Sequence, residues 1–403
     1  MSFDESMKLG QALSAGNILT EREYKSQMGQ YFTKDEYLQH YVFDKVKNKG
    51  ECLLEPSFGA GHLIKKFKEY DENYPMICYE IDNTISPILK FNSHQIIIYD
   101  DFTTQRIPYK FKTIIGNPPY VKQQGGNLYL RFIELCFEYC DNGGEIIFIV
   151  PSDFIKLTSA SSIITRMTSV GSFTDFLFPH NEKLFDGANI DVLVFRYEKG
   201  LKTNIACVNG TNLFCTINSG IVTFNEKERK GIMISQLFNV YVGLVSGRDG
   251  IYRVSFGNFP VLIDKDRTEN FIYTDKFPSG NPLIDNHLLI NKEQLLSRRI
   301  RKFTDNNWFE WGAPRNKKNI ENNWDKSCIY IRTMTRKNEV AFIDRVQYFG
   351  GGLICLIPKS IISEESMREI LIYLNSIEFR KDYIYAGRFK IGQRQICNVV
   401  LSI

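Results

Sequence analysis

Short apolar runs alternate with amphipathic stretches between residues 52 and 197, and this alternation most constrains the fold. Strand-like runs are expected at residues 52–54, 76–80, 95–98, 113–115, 145–150 and 191–197. Helices are expected between them, near residues 61–70, 84–91, 127–140 and 159–169. Alternation of this kind predicts an α/β fold, with a doubly wound, mostly parallel sheet that carries helices on both faces. In such sheets the ligand binds beyond the carboxyl ends of the strands.

The chain is long enough for a second domain after this sheet. Its 403 residues exceed the roughly 100–200 residues of one typical domain. The strand and helix pattern dissolves around residues 200–230, and irregular strands with three Trp and many Arg and Lys follow. We therefore predict a first domain over residues 1–225 and a smaller, mixed domain over residues 226–403.

The charge of the chain is unevenly distributed. Residues 1–200 carry 21 Lys and Arg against 26 Asp and Glu, whereas residues 201–403 carry 29 against 20. A basic second half is expected if that half meets a polyanion, although proteins that never touch nucleic acid also show such asymmetry.

The cysteines, the apolar runs and the amino terminus exclude several classes of protein. The nine cysteines form no Cys-x-x-Cys pair and have no His partner at metal spacing, so neither a zinc site nor a disulfide framework is expected. No apolar run approaches the roughly 20 residues of a membrane span. The amino terminus is acidic and resembles no secretory signal. These features predict a cytoplasmic protein with reduced thiols that makes no contact with a membrane.

The sequence Asn-Pro-Pro-Tyr at residues 117–120 follows an apolar strand directly. Proline fixes its own φ and pushes the preceding residue toward extended geometry, so two prolines in a row hold Asn117 rigidly at the strand end. Such a turn can hold a flat ring that bears an amino group. The alternative is an ordinary strand-terminating turn, because Asn-Pro is a common turn dipeptide.

Three earlier strand ends carry polar or glycine residues. Gly59 and Gly61 follow the first strand in a Gly-x-Gly spacing that lacks the third glycine of a dinucleotide fingerprint, so a nicotinamide or flavin cofactor is poorly supported. Glu80 ends the next strand, about 20 residues on, where such folds hold ribose hydroxyls. Asp101 beside Phe102 can accept a hydrogen bond from an adenine amino group. Each of these residues alone also fits an ordinary turn or a solvated strand end.

Taken in order, these motifs resemble the TaqI-like gamma class of DNA adenine-N6 methyltransferases from type II restriction-modification systems. The resemblance is carried by residues 29–33, 55–61, 117–120 and 144–152 and runs through nearly the whole chain. It implies S-adenosylmethionine as methyl donor, no metal, and double-stranded DNA as substrate. A monomer is expected, although the sequence leaves the oligomeric state open, and a separately encoded restriction endonuclease is a possible partner.

The resemblance also implies roles for individual residues. The cofactor would be bound by Thr33, Glu55, Ser57, Gly59, Gly61, Glu80, Asp101, Phe102 and Pro119. The catalytic group would be Asn117, Pro118, Pro119, Tyr120 and Phe185. Within it, Asn117 and Pro118 accept hydrogen bonds from the amino group of a flipped adenine, Tyr120 stacks on the base, and Phe185 packs on its other face or edge.

Segments of the second half are similar to target-recognition domains of these enzymes, at residues 242–249, 308–316 and 386–395. DNA contacts are expected from Arg315, Arg388, Lys390 and Arg394. Core packing is the expected role of Trp308 and Trp311. The second domain is thus expected to recognise DNA, and the first to bind the cofactor and transfer the methyl group.

Several other functions stay open at this point. The same Asn-Pro-Pro-Tyr turn occurs in methyltransferases that act on adenine in RNA or on a protein glutamine, but those families tend to carry little after the catalytic domain. Cytosine N4 is a further target, since the same geometry presents either amino group. A fused nuclease is not expected, because fewer than 30 residues precede the first motif. The intact turn argues against a non-catalytic specificity subunit.

Overall fold

A computed structural model describes residues 29, 31–123, 126–179, 181, 184–185, 190–228, 230–385 and 388–401. The chain divides into two compact units, Met1–Glu228 and Arg229–Ile403. The domain boundary predicted between residues 225 and 226 lies just before this division. Within the described ranges, no helix is both long and apolar enough to cross a bilayer.

The first unit is built on strands that mostly follow the predicted runs. Its strands are β1 Leu53–Glu55, β2 Met76–Glu80, β3 Gln95–Tyr99, β4 Phe111–Gly116, β5 Lys122–Gln123, β6 Gly126–Asn127, β7 Cys140–Pro151, β8 Gly171–Leu177, β9 Val192–Lys199, β10 Ile205–Val208, β11 Thr211–Asn218 and β12 Ile221–Asn225. Its α-helices are α1 Glu36–Lys45, α2 Lys65–Tyr70, α3 Leu128–Tyr139 and α4 Ser161–Val170. Short 3₁₀ helices cover Phe102–Thr104, Ser152–Lys156 and Thr158–Ala160.

Ten of these strands form one sheet, in the order β12-β11-β10-β8-β9-β7-β4-β1-β2-β3. Five adjacent strands of this sheet, β3, β2, β1, β4 and β7, run parallel to one another. Strand β9 is antiparallel to both β7 and β8. The sheet is therefore mixed, and its parallel half brings the carboxyl ends of β1, β2, β3 and β4 to one edge.

Apolar side chains alternate between the two faces of this sheet and build a separate core on each. Leu54 and Ile114 pack with α3 and α4 on one face. Leu53 and Ile115 pack with α1 and α2 on the other. Because successive residues of a strand point to opposite faces, a strand that is apolar throughout can serve both cores. This arrangement confirms the predicted α/β, doubly wound fold.

Two local predictions are wrong. Residues 84–91 form no helix; the Asp82 carboxylate accepts hydrogen bonds from the amide and hydroxyl of Thr84, and Pro87 cannot donate a helical hydrogen bond. Residues 205–225 are strands rather than irregular chain, joined by tight turns at Asn209-Gly210 and Ser219-Gly220. All four turn residues have positive φ. Asn-Gly is a strong signal for a β-hairpin, and the sequence prediction did not use it.

The second unit is a mixed assembly of small sheets and short helices. Its strands are β13 Ile232–Met233, β14 Phe238–Val242, β15 Phe259–Asp264, β16 Arg267–Phe271, β17 Ser327–Arg332, β18 Met334–Thr335, β19 Ala341–Arg345, β20 Leu353–Pro358, β21 Ile384–Tyr385, β22 Arg388–Lys390 and β23 Val400–Leu401. Its helices are α5 Ile234–Leu237, α6 Asp249–Tyr252, α7 Pro282–Ile290, α8 Lys292–Leu296, α9 Lys317–Glu321, α10 Glu364–Asn375, α11 Ile377–Lys381 and α12 Gln393–Cys397.

A four-stranded antiparallel sheet, β14-β20-β17-β19, forms the centre of this unit. Both of its faces are covered by apolar clusters. Trp308 and Trp311 are buried in one of these clusters, which confirms that they are core residues.

Candidate active site

The carboxyl ends of β1 to β4 surround a cleft with about 940 Å³ of empty volume, part of it open to solvent. Six of the residues predicted to bind a cofactor line it: Ser57, Gly59, Glu80, Asp101, Phe102 and Pro119. Asn117, from the predicted catalytic group, lines the same cleft. The structure thus brings together residues from four separate strand ends.

The loop after β1 forms one wall of the cleft. Gly59 has φ +59 and Gly61 has φ +87, a region that side-chain-bearing residues rarely adopt. A Cβ atom on Gly59 would lie 3.0 Å from two carbons of the Phe32 ring. The Gly59 amide donates to Glu80 Oε2 at 2.7 Å. The loop is therefore tied to the end of β2 and lets a ligand approach its backbone closely.

Two carboxylates are buried near the cleft, Glu80 in its lining and Glu55 outside the lining. Glu80 accepts hydrogen bonds from the amides of Gly59 and Asp82, and burial raises its pKa above the usual value. Glu55 is only 1% exposed, and burial raises its pKa well above the usual range. Its Oε1 accepts from the Ser57 hydroxyl at 3.4 Å, whereas its Oε2 is buried and has no hydrogen-bond partner among the described residues. A carboxyl group left in this state has unused hydrogen-bonding capacity next to the cleft.

Asp101 and Phe102 follow β3. Asp101 Oδ1 caps the 3₁₀ turn by accepting from the amide and hydroxyl of Thr103, at 2.8 and 2.7 Å, and Asp101 also lines the cleft. Phe102 is 2% exposed and stacks on Phe132 with ring centroids 5.5 Å apart. Phe102 is therefore a core residue that reaches the cleft with little of its surface.

The side chain of Asn117 is held by hydrogen bonds on both of its polar atoms. Its Nδ2 donates to the Tyr31 carbonyl at 2.7 Å and to Thr33 Oγ1 at 3.1 Å. The Tyr120 hydroxyl donates to Asn117 Oδ1, and the Ile149 carbonyl, 3.1 Å away, is its alternative acceptor. Thr33 is 4% exposed. It contacts Asn117 but is not itself one of the residues that line the cleft.

Three aromatic rings meet beside Asn117. The ring that lies nearly face to face with Tyr120 is that of Tyr31, at 5.8 Å and 27°. Phe185 meets Tyr120 edge to face, at 6.4 Å and 79°, and is 3% exposed. Sequence reasoning did not assign a role to Tyr31, although this residue lies within the 29–33 segment that carries the resemblance. Burial of the Tyr120 side chain raises the pKa of its hydroxyl well above the usual range. The hydroxyl therefore keeps its proton.

The predicted DNA contacts lie in the second unit, in different settings. Arg388 and Lys390 are exposed on β22, on either side of the buried Phe389. Arg315 is exposed in the turn after Pro314. Arg394 is half-buried in α12, and burial lowers the pKa of its guanidinium. Arg388, Lys390 and Arg315 are therefore accessible, while Arg394 is partly enclosed by protein.

The cleft has the groups that an adenosine-containing ligand requires. Carboxylates at two neighbouring strand ends can accept from hydroxyl and amino groups, and a glycine loop permits close approach. Glu55 Oε2 provides a further polar group without a partner. These residues fit S-adenosylmethionine. Within the described ranges, no group of three or more His, Cys, Asp and Glu side chains is arranged to hold a metal ion.

Comparison with known proteins agrees with the motifs. Residues 61–185 match the sequence profile of the family described as Eco57I restriction-modification methylase. The type II methyltransferase M.HincII of Haemophilus influenzae is 28% identical over 211 residues, which cover 47% of this chain and 40% of that protein. The matched part of this chain thus covers well under two thirds of the length of the curated relatives. These similarities confirm the resemblance to type II restriction-modification methyltransferases.

Other similarities are more distant. Ribosomal RNA small subunit methyltransferase A of Phytoplasma australiense is 32% identical over 110 residues, which cover 25% of this chain and 38% of that protein. Among solved structures, the type IIG restriction endonuclease BpuSI aligns with a TM-score of 0.38 and 13% identity, over 96% of this chain and 59% of that one.

Proposed function

We propose that this chain, which carries a match to restriction-modification methylases over residues 61–185, is a site-specific DNA methyltransferase. It would transfer a methyl group from S-adenosylmethionine to N6 of adenine in double-stranded DNA. We assign it to the TaqI-like gamma class, as the modification half of a restriction-modification system. It would act in the cytoplasm as a monomer, with a separately encoded nuclease as a partner.

The observation that supports this proposal best is the amide of Asn117, held at the end of β4 beside a cleft with two buried carboxylates. An exocyclic adenine nitrogen is a weak nucleophile, because its lone pair is delocalised into the ring. Asn117 Oδ1 and the Pro118 carbonyl would accept its two hydrogens and orient the nitrogen. No backbone amide within the described ranges donates to the Pro118 carbonyl. The turn would contribute mainly orientation and electrostatics.

The remaining cleft residues would bind the cofactor. Glu80 would accept from the ribose hydroxyls and Asp101 from the adenine amino group of the cofactor, while Phe102 and Pro119 would contact its apolar surface. Ser57 and Gly59 from the lining, with Glu55 and Gly61 beside them in the same loop, complete the proposed site. Thr33, which contacts Asn117 instead, is not part of it. When bound, S-adenosylmethionine supplies a methyl group already activated by a positively charged sulfur.

A target adenine inside a duplex must leave the helix to reach Asn117. Tyr120 would stack on the flipped base. Its ring already faces Tyr31 and meets the edge of Phe185, so we propose Tyr31 as the opposite wall and Phe185 as the edge contact. Phe185 therefore keeps a role in the proposed catalytic group. It would contact the edge of the base instead of stacking on its second face.

Double-stranded DNA is the proposed partner of the second unit. Lys390 pairs with Met334, and Arg388 with Tyr385, across the short sheet β18-β22-β21. Because Phe389 is buried between them, the two cations project from the opposite face. Within the described structure, the side chains of Arg388 and Lys390 form no ion pair and no hydrogen bond. Free cations on a short β-ribbon suit contacts with DNA phosphates. Arg315 and Arg394 are proposed as further contacts.

An RNA adenine methyltransferase is the second candidate. The similarity to a ribosomal RNA methyltransferase favours it, but that match covers a quarter of the chain. The longer match to M.HincII and the exposed cations of the second unit favour DNA.

The test is modification-sensitive sequencing of DNA from cells that express the chain. We expect N6-methyladenine at one sequence motif. Cells that express Asn117→Ala provide the matched control and should show none, because that variant lacks the acceptor oxygen. Methyl groups on cytosine N4 would show that cytosine and not adenine is the target base. Unmodified DNA together with methylated RNA or protein would overturn the proposal.

A further inference from the structure

Two hydrogen bonds determine which way the amide of Asn117 faces. A backbone carbonyl can only accept, so the atom 2.7 Å from the Tyr31 carbonyl must be Nδ2. The second hydrogen of Nδ2 goes to Thr33 Oγ1. Both donors of the amide are thus used. Oδ1 lies on the other side of the amide, where it accepts from the Tyr120 hydroxyl.

The segment that accepts these hydrogen bonds is itself anchored. Gln39, a buried residue of α1, donates from Nε2 to the Thr33 carbonyl at 2.8 Å. Gly29 packs on the turn, where an added Cβ would lie 2.9 Å from Val121 and 3.1 Å from Pro119. Gly29, Tyr31 and Thr33 therefore lie directly against the turn that carries Asn117.

We propose that the Thr33 hydroxyl and the Tyr31 carbonyl are positioning groups for Asn117. The terminal torsion of an asparagine side chain is broad and roughly two-fold, so the amide does not orient itself. A flipped amide would present Nδ2 to the adenine amino group, and two donors would face each other. The inference rests on the proposed function, because it concerns the acceptor of that reaction.

This role differs from the one that the resemblance implies for Thr33, which is contact with the methionine part of the cofactor. A residue that orients Asn117 affects the rate of transfer at saturating cofactor. A residue that contacts the cofactor affects its dissociation constant. The two roles therefore separate in a measurement of rate against affinity.

The test compares Thr33→Val, which keeps the shape but loses the acceptor, with Thr33→Ser, which keeps the hydroxyl. Single-turnover methylation of unmethylated plasmid DNA is measured with tritiated S-adenosylmethionine at saturation, and cofactor affinity is measured by calorimetry. We expect Thr33→Val to slow transfer about tenfold, the effect of one lost hydrogen bond. Its cofactor Kd should stay within about twofold, and Thr33→Ser should transfer at nearly the wild-type rate.

Three results would overturn the inference: a weaker cofactor Kd with a normal saturated rate, an equal loss in both variants, or no loss in either. If thermal melting shows that Thr33→Val does not fold, Thr33→Ala replaces it with the same expectation. A wild-type protein that methylates no plasmid DNA would refute the proposed function itself. That result is seen before any variant is compared, so the two failures are distinct.

Discussion

Replacing Tyr31 by alanine tests whether this ring is the second wall of the base site. The Tyr31 and Tyr120 rings lie 5.8 Å apart. A base between them needs about 6.8 Å, twice the roughly 3.4 Å spacing of stacked bases. The rings must therefore separate by about 1 Å to admit an adenine.

The magnitude follows from two opposing terms. Tyr31→Ala removes a stacking contact with the base, worth about 1–3 kcal/mol. It also removes the contact between Tyr31 and Tyr120 that the base must displace, worth about 0.5–1.5 kcal/mol. The net loss is about 1 kcal/mol, or roughly fivefold in the population of the flipped state. Tyr31→Phe keeps the ring, and both variants keep the backbone carbonyl that holds Asn117.

The assay uses a duplex that carries 2-aminopurine at the target position found by sequencing, because this base fluoresces more strongly when unstacked. We expect the flipped fraction to fall in Tyr31→Ala and to stay near wild type in Tyr31→Phe. The reasoning is wrong if Tyr31→Ala flips the base normally. If Phe185→Ala then loses flipping, Phe185 is the second wall.

Three further predictions concern the cofactor cleft and the DNA contacts. Gly59→Ala should weaken S-adenosylmethionine binding about tenfold in calorimetry, because the new Cβ would lie 3.0 Å from the Phe32 ring and shift two residues that line the cleft. Burial raises the pKa of Glu80 above its usual value, and ribose hydroxyls favour its ionised form. Cofactor affinity should therefore fall as the pH drops through that raised pKa, but not in Glu80→Gln. Replacing Arg388 and Lys390 by alanine should reduce the salt slope of DNA binding by about 2.

Each of these has a control within the chain. Gly50 also has positive φ, +93, but its Cβ would meet nothing within 4 Å, so Gly50→Ala should leave cofactor affinity unchanged. If cofactor affinity depends on pH in the same way in Glu80→Gln and in the wild-type protein, Glu80 does not bind the ribose. Lys265 and Arg267 are exposed cations already paired with Glu339 and Glu269. If replacing Lys265 and Arg267 lowers the salt slope as much as replacing Arg388 and Lys390 does, the assignment of DNA contacts to β22 is wrong.

The sequence alone determined the parallel half of the sheet and the polar residues at its edge. Apolar runs of strand length predicted β1, β2 and β4 to within about two residues, because strands buried on both faces must be apolar throughout. The motifs then placed Gly59, Glu80, Asp101 and Asn117 at successive strand ends. Parallel strands bring such ends together, so the existence of a shared cleft followed from local patterns.

Only the tertiary structure decided what surrounds Asn117. Its partners Tyr31 and Thr33 are 86 and 84 residues away in sequence, and the ring facing Tyr120 is 89 residues away. Hydrogen bonds and ring contacts of this kind depend on where separate segments meet, and no local periodicity encodes that meeting. For the same reason the sequence named Tyr120 and Phe185 as base contacts but could not tell which ring lies face to face with Tyr120.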